Sequence, residues 1–292
     1  MGKILKYNLP CAPAQDEYDK CTFKVPFGAV DTHAHVISDS SLYPFVNNRS
    51  YTPPPAPVSK YLKMLDELQM SFGVLIQISV YGTDNSYMLE VLKKYPNKLR
   101  GVAVVSPEIT DKELESMHQL GIRGLRINVL FGGGVSLAVM EKLADRIKDF
   151  GWHLEFLLDA RDLPELMPKL IKLPVTGVID HIGHFPVEAG LNNEGFTSLR
   201  RLVTDHDYWV KLSGAYRISN KSETYQDVKP FAQTLISDSP EHMLWGSDWP
   251  HVSQSETPNS GKLLNLLKDW APDQETRNRI LVSNPGFLYD FK

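Results

Sequence analysis

Two histidines and one aspartate occupy positions from which their side chains could act on a carbonyl group. His33 and His35 are two residues apart in Asp31-Thr-His-Ala-His35, and this spacing on a strand turns both rings to the same face. Asp248 ends Trp245-Gly-Ser-Asp248 and precedes Trp-Pro, which interrupts β structure. Imidazoles can bind a metal or donate hydrogen bonds, and a carboxylate can activate water as a general base.

The same residues have structural interpretations, which the sequence leaves open. The histidine pair could be a polar plug that satisfies its own hydrogen bonds. Asp248 could be the N-cap of a following helix, because Pro250 suits a first helical turn. A third histidine, His181, lies in a Asp-His-Ile-Gly-His stretch, where the glycine lets a ligand approach the backbone. His184, which ends this stretch, is either a second contact or part of the rim.

Two arginines and three hydroxyl residues extend the predicted site. Arg126 and Arg217 follow apolar runs, and a guanidinium group pairs well with a substrate carboxylate. Internal ion pairs are the alternative for both; if the functional interpretation holds, the substrate is anionic. Ser79, Tyr81 and Thr83 follow another apolar run and offer further hydrogen-bond donors.

Regularly spaced elements are needed to bring these residues together. Eight short apolar runs alternate with segments of helical periodicity, such as 59–70 and the segment after Ser136, which is a candidate helix cap. The runs are 29–31, 74–78, 101–105, 122–127, 153–158, 175–179, 209–212 and 243–245. This alternation predicts parallel strands in a (β/α)8 TIM barrel at residues 28–292, with residues 1–27 as an N-terminal arm and a last helix near 273–283.

In such a barrel the chemistry lies at the carboxyl ends of the strands. Of nine histidines, five fall at or just after a predicted strand end, and His153 begins a strand at the opposite face. The five are His33, His35, His181, His184 and His251. Their shared position predicts one active site at one end of the barrel.

Composition limits the class of protein. The chain is 42% hydrophobic and has a net charge of −4, without a basic block, so we expect neither nucleic acid nor an anionic membrane as a partner. Cys11 and Cys21 do not form a disulfide framework. The first residues contain no apolar signal segment, and no run could span a membrane. We therefore expect a cytoplasmic protein; its oligomeric state is left open.

The motifs together resemble those of 2-pyrone-4,6-dicarboxylate lactonase and its sugar-lactonase relatives in the amidohydrolase superfamily. The likeness runs from about residue 26 to the C-terminus and rests on the His-x-His, Asp-His-x-Gly and Trp-Gly-Ser-Asp-Trp-Pro-His motifs and on residues 77–85. It implies a lactonase that needs no metal. By this resemblance three histidines surround the lactone carbonyl, Asp248 activates water, and further residues line the pocket. The histidines are His33, His35 and His181, and the pocket residues are Tyr51, Ser79, Arg126, Arg217 and His251.

This chain departs from the lactonase pattern at three places. A second arginine is replaced within Gly132-Gly-Gly134, an arginine after Asp-His-x-Gly is replaced by His184, and a tyrosine aligns with Leu157. These losses weaken the case for a rigid aromatic dicarboxylate. The segment from Lys211 is closer to sugar-acid lactone isomerases, which replace the last aspartate with asparagine, whereas this chain keeps Asp248 and so favours hydrolysis.

The expected mechanism needs no cofactor. Arg126 and Arg217 orient the lactone, three histidines donate hydrogen bonds to its carbonyl oxygen, and Asp248 takes a proton from water. A zinc ion held by His33, His35 and Asp248 is the alternative and would favour a decarboxylase or a metallohydrolase. The predicted fifth strand offers only Glu155, whose orientation alternation does not determine. A barrel that only binds an organic acid is the second alternative.

Overall fold

The computed structural model describes residues 9–221 and 224–292. Within them, eight parallel strands neighbour one another in chain order. They are β1 (Val30–Ala34), β2 (Phe72–Ile76), β3 (Leu99–Ala103), β4 (Ile122–Asn128), β5 (His153–Leu157), β6 (Gly177–Ile179), β7 (Tyr208–Lys211) and β8 (Met243–Leu244). The Thr32 amide donates to the Trp245 carbonyl at 3.1 Å, and the His35 amide donates to the Trp249 carbonyl at 2.7 Å. These bonds join the ends of the sheet, and the predicted barrel is confirmed.

Helices connect the strands and cover the outside of the barrel. They are α1 (Val58–Glu67), α2 (Ser86–Lys94), α3 (Asp111–Gln119), α4 (Met140–Ile147), α5 (Leu163–Leu170), α6 (Glu194–Asp205), α7 (Ala215–Ile218), α8 (Lys229–Asp238), α9 (Ser260–Trp270), α10 (Gln274–Asn278) and α11 (Asn284–Tyr289). Strand, helix and parallel strand alternate because a parallel pairing needs a crossover connection. In the described residues no helix has the length and apolar character needed to cross a membrane.

The helix predictions are accurate in place and less accurate at the ends. In α4 every residue of the predicted apolar face is buried, from Met140 to Ile147. Ser136 caps a 3-10 turn before that helix, since its hydroxyl accepts a hydrogen bond from the Ala138 amide. The predicted last helix, near 273–283, consists of α10 and a π-helical segment (Arg279–Ser283), and α11 continues directly beyond it. No helix begins at Asp248, and α9 is capped by Asn259, so the N-cap interpretation of Asp248 is wrong.

The lower half of the barrel is apolar, and the C-terminal helix closes it. A cluster that includes Val74, Val102, Val178 and Leu244 fills this space and contacts Tyr289 of α11. Strands of a parallel sheet are buried on both faces, so their sequences are nearly continuous apolar runs. This is why the apolar runs of the sequence located the strands correctly. The predicted site residues therefore lie above this apolar cluster, whereas the buried His153, at the start of β5, contacts Tyr289 within it.

The described part of the predicted arm, residues 9–27, begins against loops at the carboxyl end of the barrel and continues along α9, where the Thr22 amide donates to Asn265 Oδ1. The Leu9 amide donates to the Ser50 carbonyl and the Ala12 amide donates to the Gln254 carbonyl. The Trp249 indole donates to the Tyr18 hydroxyl at 3.1 Å. The arm thus supports the loop that contains Asp248, while the domain boundary at residue 27 stays a prediction.

Candidate active site

A narrow cavity opens at the carboxyl ends of the strands, where the sequence predicted an active site. Eight predicted site residues line it. They are His35, Tyr51, Ser79, Arg126, His181, His184, Arg217 and Asp248. Asn128, Phe131, Leu157 and Val252 complete the wall. The structure thus brings together side chains from strands one, two, four, five, six, seven and eight of the barrel or from the segments that follow them.

Four predicted site residues do not line this cavity. His33 lies just beneath it, fully buried. The Tyr81 hydroxyl accepts a hydrogen bond from the Ser38 amide, which directs it to the loop after β1. Thr83 is exposed at the surface. His251 is buried, with Nε2 3.4 Å from the Ser260 hydroxyl. Tyr81, Thr83 and His251 therefore lie outside the wall of this cavity, and their contact with a ligand stays a prediction.

The two histidines of β1 face Asp248 together. His33 Nε2 and His35 Nε2 each lie 3.8 Å from Asp248 Oδ1, and the rings meet edge to face at 5.0 Å between centroids. Neither His33 Nε2 nor Asp248 Oδ1 has a hydrogen-bond partner. Buried polar atoms are usually paired, so these free atoms mark a place that a bound molecule can occupy.

His181 approaches the same carboxylate from the turn after β6. His181 Nε2 lies 3.7 Å from Asp248 Oδ2, and His181 Nδ1 lies 2.8 Å from the Ser213 hydroxyl. His181 has a φ of 52°, a left-handed conformation that costs energy for a residue with a side chain. A Cβ atom on Gly214 would lie 2.9 Å from the His181 ring. The glycine after Ser213 is therefore required by the close approach of this histidine.

Asp248 is ionised and firmly oriented. Its Oδ2 accepts hydrogen bonds from the Tyr216 hydroxyl at 2.7 Å and from Arg217 Nε at 2.6 Å. Burial is the largest single effect and raises its pKa, but the Arg217 guanidinium and, after it, the three neighbouring histidines together outweigh burial and hold the pKa of Asp248 well below its usual range. One carboxylate oxygen is thus fixed by the protein, and the other is free to accept a proton.

His35 has a defined tautomer. Its Nδ1 lies 2.8 Å from the Ile76 carbonyl oxygen, an atom that can only accept. Burial, and next the neighbouring His33 and Arg126, lowers the pKa of His35 well below its usual value, so the ring is neutral. The proton of a neutral ring is then on Nδ1, and Nε2 carries the lone pair. In this tautomer His35 Nε2 is a hydrogen-bond acceptor. This differs from the sequence-based expectation that His35 donates to a substrate carbonyl.

Both predicted arginines form internal ion pairs, the alternative that the sequence left open. Arg126 Nη2 lies 2.9 Å from Asp180 Oδ2, and Arg217 is paired with Asp248 as described. Arg126 Nη1 has only a long contact of 3.5 Å to the Gln77 carbonyl. Arg126 thus lines the cavity with its Nε and Nη2 atoms bonded to Asp180, while the edge at Nη1 is nearly free.

The hydroxyl residues of the cavity are neutral hydrogen-bonding groups. The Tyr51 hydroxyl lies 3.0 Å from the Ser79 hydroxyl, and burial raises the pKa of Tyr51 to about 12. Burial also lowers the pKa of His184 to about 4, so that ring is neutral. These groups offer donors and acceptors without a charge.

The prediction missed a charged network beneath the histidines. Glu155 points inward, a point that alternation alone did not decide, and its Oε2 lies 2.5 Å from Lys211 Nζ. Lys211 Nζ also lies 3.5 Å from Asp180 Oδ1 and 3.2 Å from His33 Nδ1. Burial, and next the charge of Asp180, raises the pKa of Glu155 to about 8. A lysine inside an apolar strand was the available signal, because a buried ammonium group needs carboxylate partners.

The three residues that could bind a metal lie close enough together, but the ring proton of His33 is on the wrong nitrogen for a metal ligand. Ligand atoms of His33, His35 and Asp248 lie within 4.8 Å of one another. A metal-bound histidine donates its other ring N–H to a carboxylate, carbonyl or water. His35 meets this requirement through Ile76. His33 does not, because its Nδ1 is in hydrogen-bond contact with the Lys211 ammonium, which cannot accept, whereas Asp180 Oδ1, also at 3.2 Å, has no hydrogen-bond partner. The donor set therefore does not fit a metal while Lys211 is charged.

Comparison with known proteins gives a consistent result. A family model described as amidohydrolase matches residues 30–291. A 2-pyrone-4,6-dicarboxylate hydrolase of Comamonas testosteroni is 36% identical over 92% of each chain. A 4-sulfomuconolactone hydrolase of Hydrogenophaga intermedia is 33% identical, over 96% of this chain and 94% of the relative. A crystal structure of an Agrobacterium tumefaciens protein superposes with a TM-score of 0.87 and 28% identity, covering 94% of this chain and 97% of that one.

Proposed function

This chain belongs to the amidohydrolase family, and from that premise we propose that it hydrolyses a small carboxylated lactone with Asp248 as general base. The observation that carries the proposal is the free Oδ1 of a buried, ionised aspartate that faces two imidazole rings. The names of relatives that align with most of the chain, both hydrolases, support the reaction type. The resemblance to lactonases noted from the motifs supports a pyrone dicarboxylate or a sugar-acid lactone as substrate.

The reaction begins with water held between two acceptors. A water molecule donates one proton to Asp248 Oδ1 and the other to the lone pair of His35 Nε2, atoms that are 3.8 Å apart. Its oxygen attacks the carbonyl carbon while Asp248 takes the first proton. The ring C–O bond of the tetrahedral intermediate then breaks, and the Asp248 carboxyl returns that proton to the departing ring oxygen. The product is an open-chain hydroxy acid.

The carbonyl oxygen is stabilised by the other two histidines. His33 and His181 have ring centroids 4.5 Å apart, close enough for both Nε2 atoms to donate to one oxygen. A well-placed donor of this kind contributes about 2.7–4 kcal/mol to the transition state. A lactone is an activated ester, and these donors act without a metal; the proposed hydrolase therefore needs no cofactor.

Substrate binding uses the wall of the cavity away from Asp248. The nearly free edge of Arg126 is the proposed partner for a substrate carboxylate, with Tyr51 and Ser79 as neutral donors beside it. Arg217 holds the base instead of the substrate. The proposed ligand is therefore a small organic anion that needs one guanidinium contact and several hydroxyl contacts.

The first experiment treats the purified protein with a chelator and measures proton release with pyrone and sugar-acid carboxylated lactones. We expect turnover that survives chelation. In Asp248→Asn, kcat should fall by about 10³-fold or more while a bound product is retained, because only the base is lost. Asp149→Asn is the matched control, since its side chain is exposed, and it should stay within about twofold of the parent.

Three results would contradict the proposal. Unchanged activity in Asp248→Asn would show that this carboxylate is not the base. Absence of turnover with every lactone, together with activity restored by zinc or manganese, would favour the metal-dependent decarboxylase or metallohydrolase alternative. Binding of lactones without any turnover would favour the binding-only barrel.

A further inference from the structure

Lys211 is a buried cation for which the proposed mechanism has no role. It lies at the end of β7, fully buried inside the barrel, with its ammonium group between Glu155 and Asp180. A charge is retained in an interior when partners compensate its lost hydration. Its third contact, with His33 Nδ1 at 3.2 Å, is not needed for that compensation. This contact joins the buried network to the candidate active site.

The contact determines which nitrogen of His33 carries the proton. An ammonium group only donates, so His33 Nδ1 must accept. Asp180 Oδ1 lies at the same distance from His33 Nδ1, 3.2 Å, yet it has no hydrogen-bond partner. A neutral ring that accepts at Nδ1 carries its proton at Nε2.

We propose that Lys211 is a positioning residue that donates to His33 Nδ1, places the ring proton on Nε2 and so makes His33 a hydrogen-bond donor instead of a metal ligand. The donor role rests on the proposed lactone hydrolysis, whereas the tautomer itself does not. His33 and His35 lie two residues apart on one strand and both face Asp248. At Nε2, His33 then offers an N–H group and His35 offers a lone pair.

Removing the ammonium group should reverse this assignment. Without Lys211, the nearest partner of His33 Nδ1 is Asp180 Oδ1, which only accepts. The proton would then be on Nδ1, and Nε2 would offer a lone pair beside those of His35 and the Asp248 carboxylate. That arrangement is the one a metal-bound histidine requires. Lys211 therefore keeps two histidines and an aspartate from becoming a metal site.

The first test needs no variant. Nitrogen-15 NMR of histidine rings in the wild-type protein distinguishes the two neutral tautomers, and the signals of His33 and His35 are assigned by their loss in His33→Gln and His35→Gln. We expect the proton on Nε2 of His33 and on Nδ1 of His35. A His33 ring with its proton on Nδ1 would overturn the proposal.

The second test compares zinc binding by wild-type protein and Lys211→Met after chelation, measured by calorimetry. We expect zinc affinity to rise about 10–100-fold in the variant, the range that outer contacts of metal ligands contribute. Lactone turnover should fall at the same time. Because Lys211→Met leaves Glu155 unpaired, Lys211→Met/Glu155→Gln is measured beside it. Lys60→Met, which removes an exposed ammonium group paired with Asp16, is the control.

Equal zinc affinity in wild type and in both Lys211 variants would overturn the proposal. If the double variant alone folds, its affinity decides. The outcome is separate from that of the proposed function. A protein that hydrolyses no lactone, yet shows both tautomers and the rise in zinc affinity, would refute lactone hydrolysis and keep the role of Lys211.

Discussion

The ion pair between Arg217 and Asp248 is the interaction on which the proposed base depends, and Arg217→Met tests it. The pair is 2.6 Å long, with side-chain exposures of 5% and 0%. Removing one partner of a buried pair costs about 3–5 kcal/mol, because the other charge stays buried and unpaired. One pKa unit corresponds to 1.36 kcal/mol, so this cost would raise the pKa of Asp248 by about two to four units.

The sign of the pH effect follows from the direction of the pKa shift. In the wild type the pKa of Asp248 is depressed, so this group stabilises the fold above its unfolded pKa, and the stability is lost as pH falls through the folded pKa. In Arg217→Met the largest effect that opposes burial is lost, and the pKa of Asp248 rises. The variant should then lose stability as pH rises, and its kcat/KM should increase with pH where the wild type is flat.

The assay is a pH profile of kcat/KM with the preferred lactone, together with urea unfolding at several pH values. We expect kcat/KM at neutral pH to fall at least about tenfold and to recover partly at alkaline pH. Arg200→Met removes a surface pair with Asp238 and should change stability by no more than about 1 kcal/mol. An Arg217→Met profile parallel to that of the wild type would refute the reasoning about the base.

Two further predictions concern Gly133, which lies beside Ser79, and Glu155, which lies beneath the histidines. Gly133→Ala should raise KM about tenfold, because its Cβ would lie 2.1 Å from the Ser79 carbonyl oxygen. Gly151→Ala is the control and should leave KM unchanged, because no atom lies within 4 Å of its Cβ. Equal KM values for the two variants in steady-state kinetics would contradict this prediction. Product binding should weaken above about pH 8, because ionised Glu155 adds a negative charge to the interior. Calorimetry across pH should show this loss in the wild type and not in Glu155→Gln; equal slopes would contradict the role of Glu155.

The sequence predicted which residues meet at the end of the barrel because the fold alone brings strand ends together. His33, His35, His181 and Asp248 each follow or end a short apolar run, and parallel strands in a barrel direct such positions to one face. That argument needs only periodicity and chain order. The predicted residues that do not line the cavity, Tyr81 among them, lie beyond the strand ends, where strand periodicity does not fix the direction of a side chain.

Partners across the barrel were beyond the reach of the sequence. Arg126 pairs with Asp180 and Arg217 pairs with Asp248, and whether an arginine meets a protein carboxylate or a substrate depends on distances that spacing does not encode. The inward direction of Glu155 was open for the same reason. A single strand does not reveal which of its two faces meets the interior at a given residue when both are buried.

The charges inside the barrel give a reason why the substrate that we propose is an anion. Three cations, Arg126, Lys211 and Arg217, face two carboxylates that stay ionised, Asp180 and Asp248. The remaining acid has a pKa raised to about 8 and is mostly protonated at neutral pH. The interior then carries an excess of one positive charge before a ligand binds. Because an uncompensated buried charge is costly, a substrate carboxylate near Arg126 supplies the missing partner, and a neutral lactone of the same shape does not.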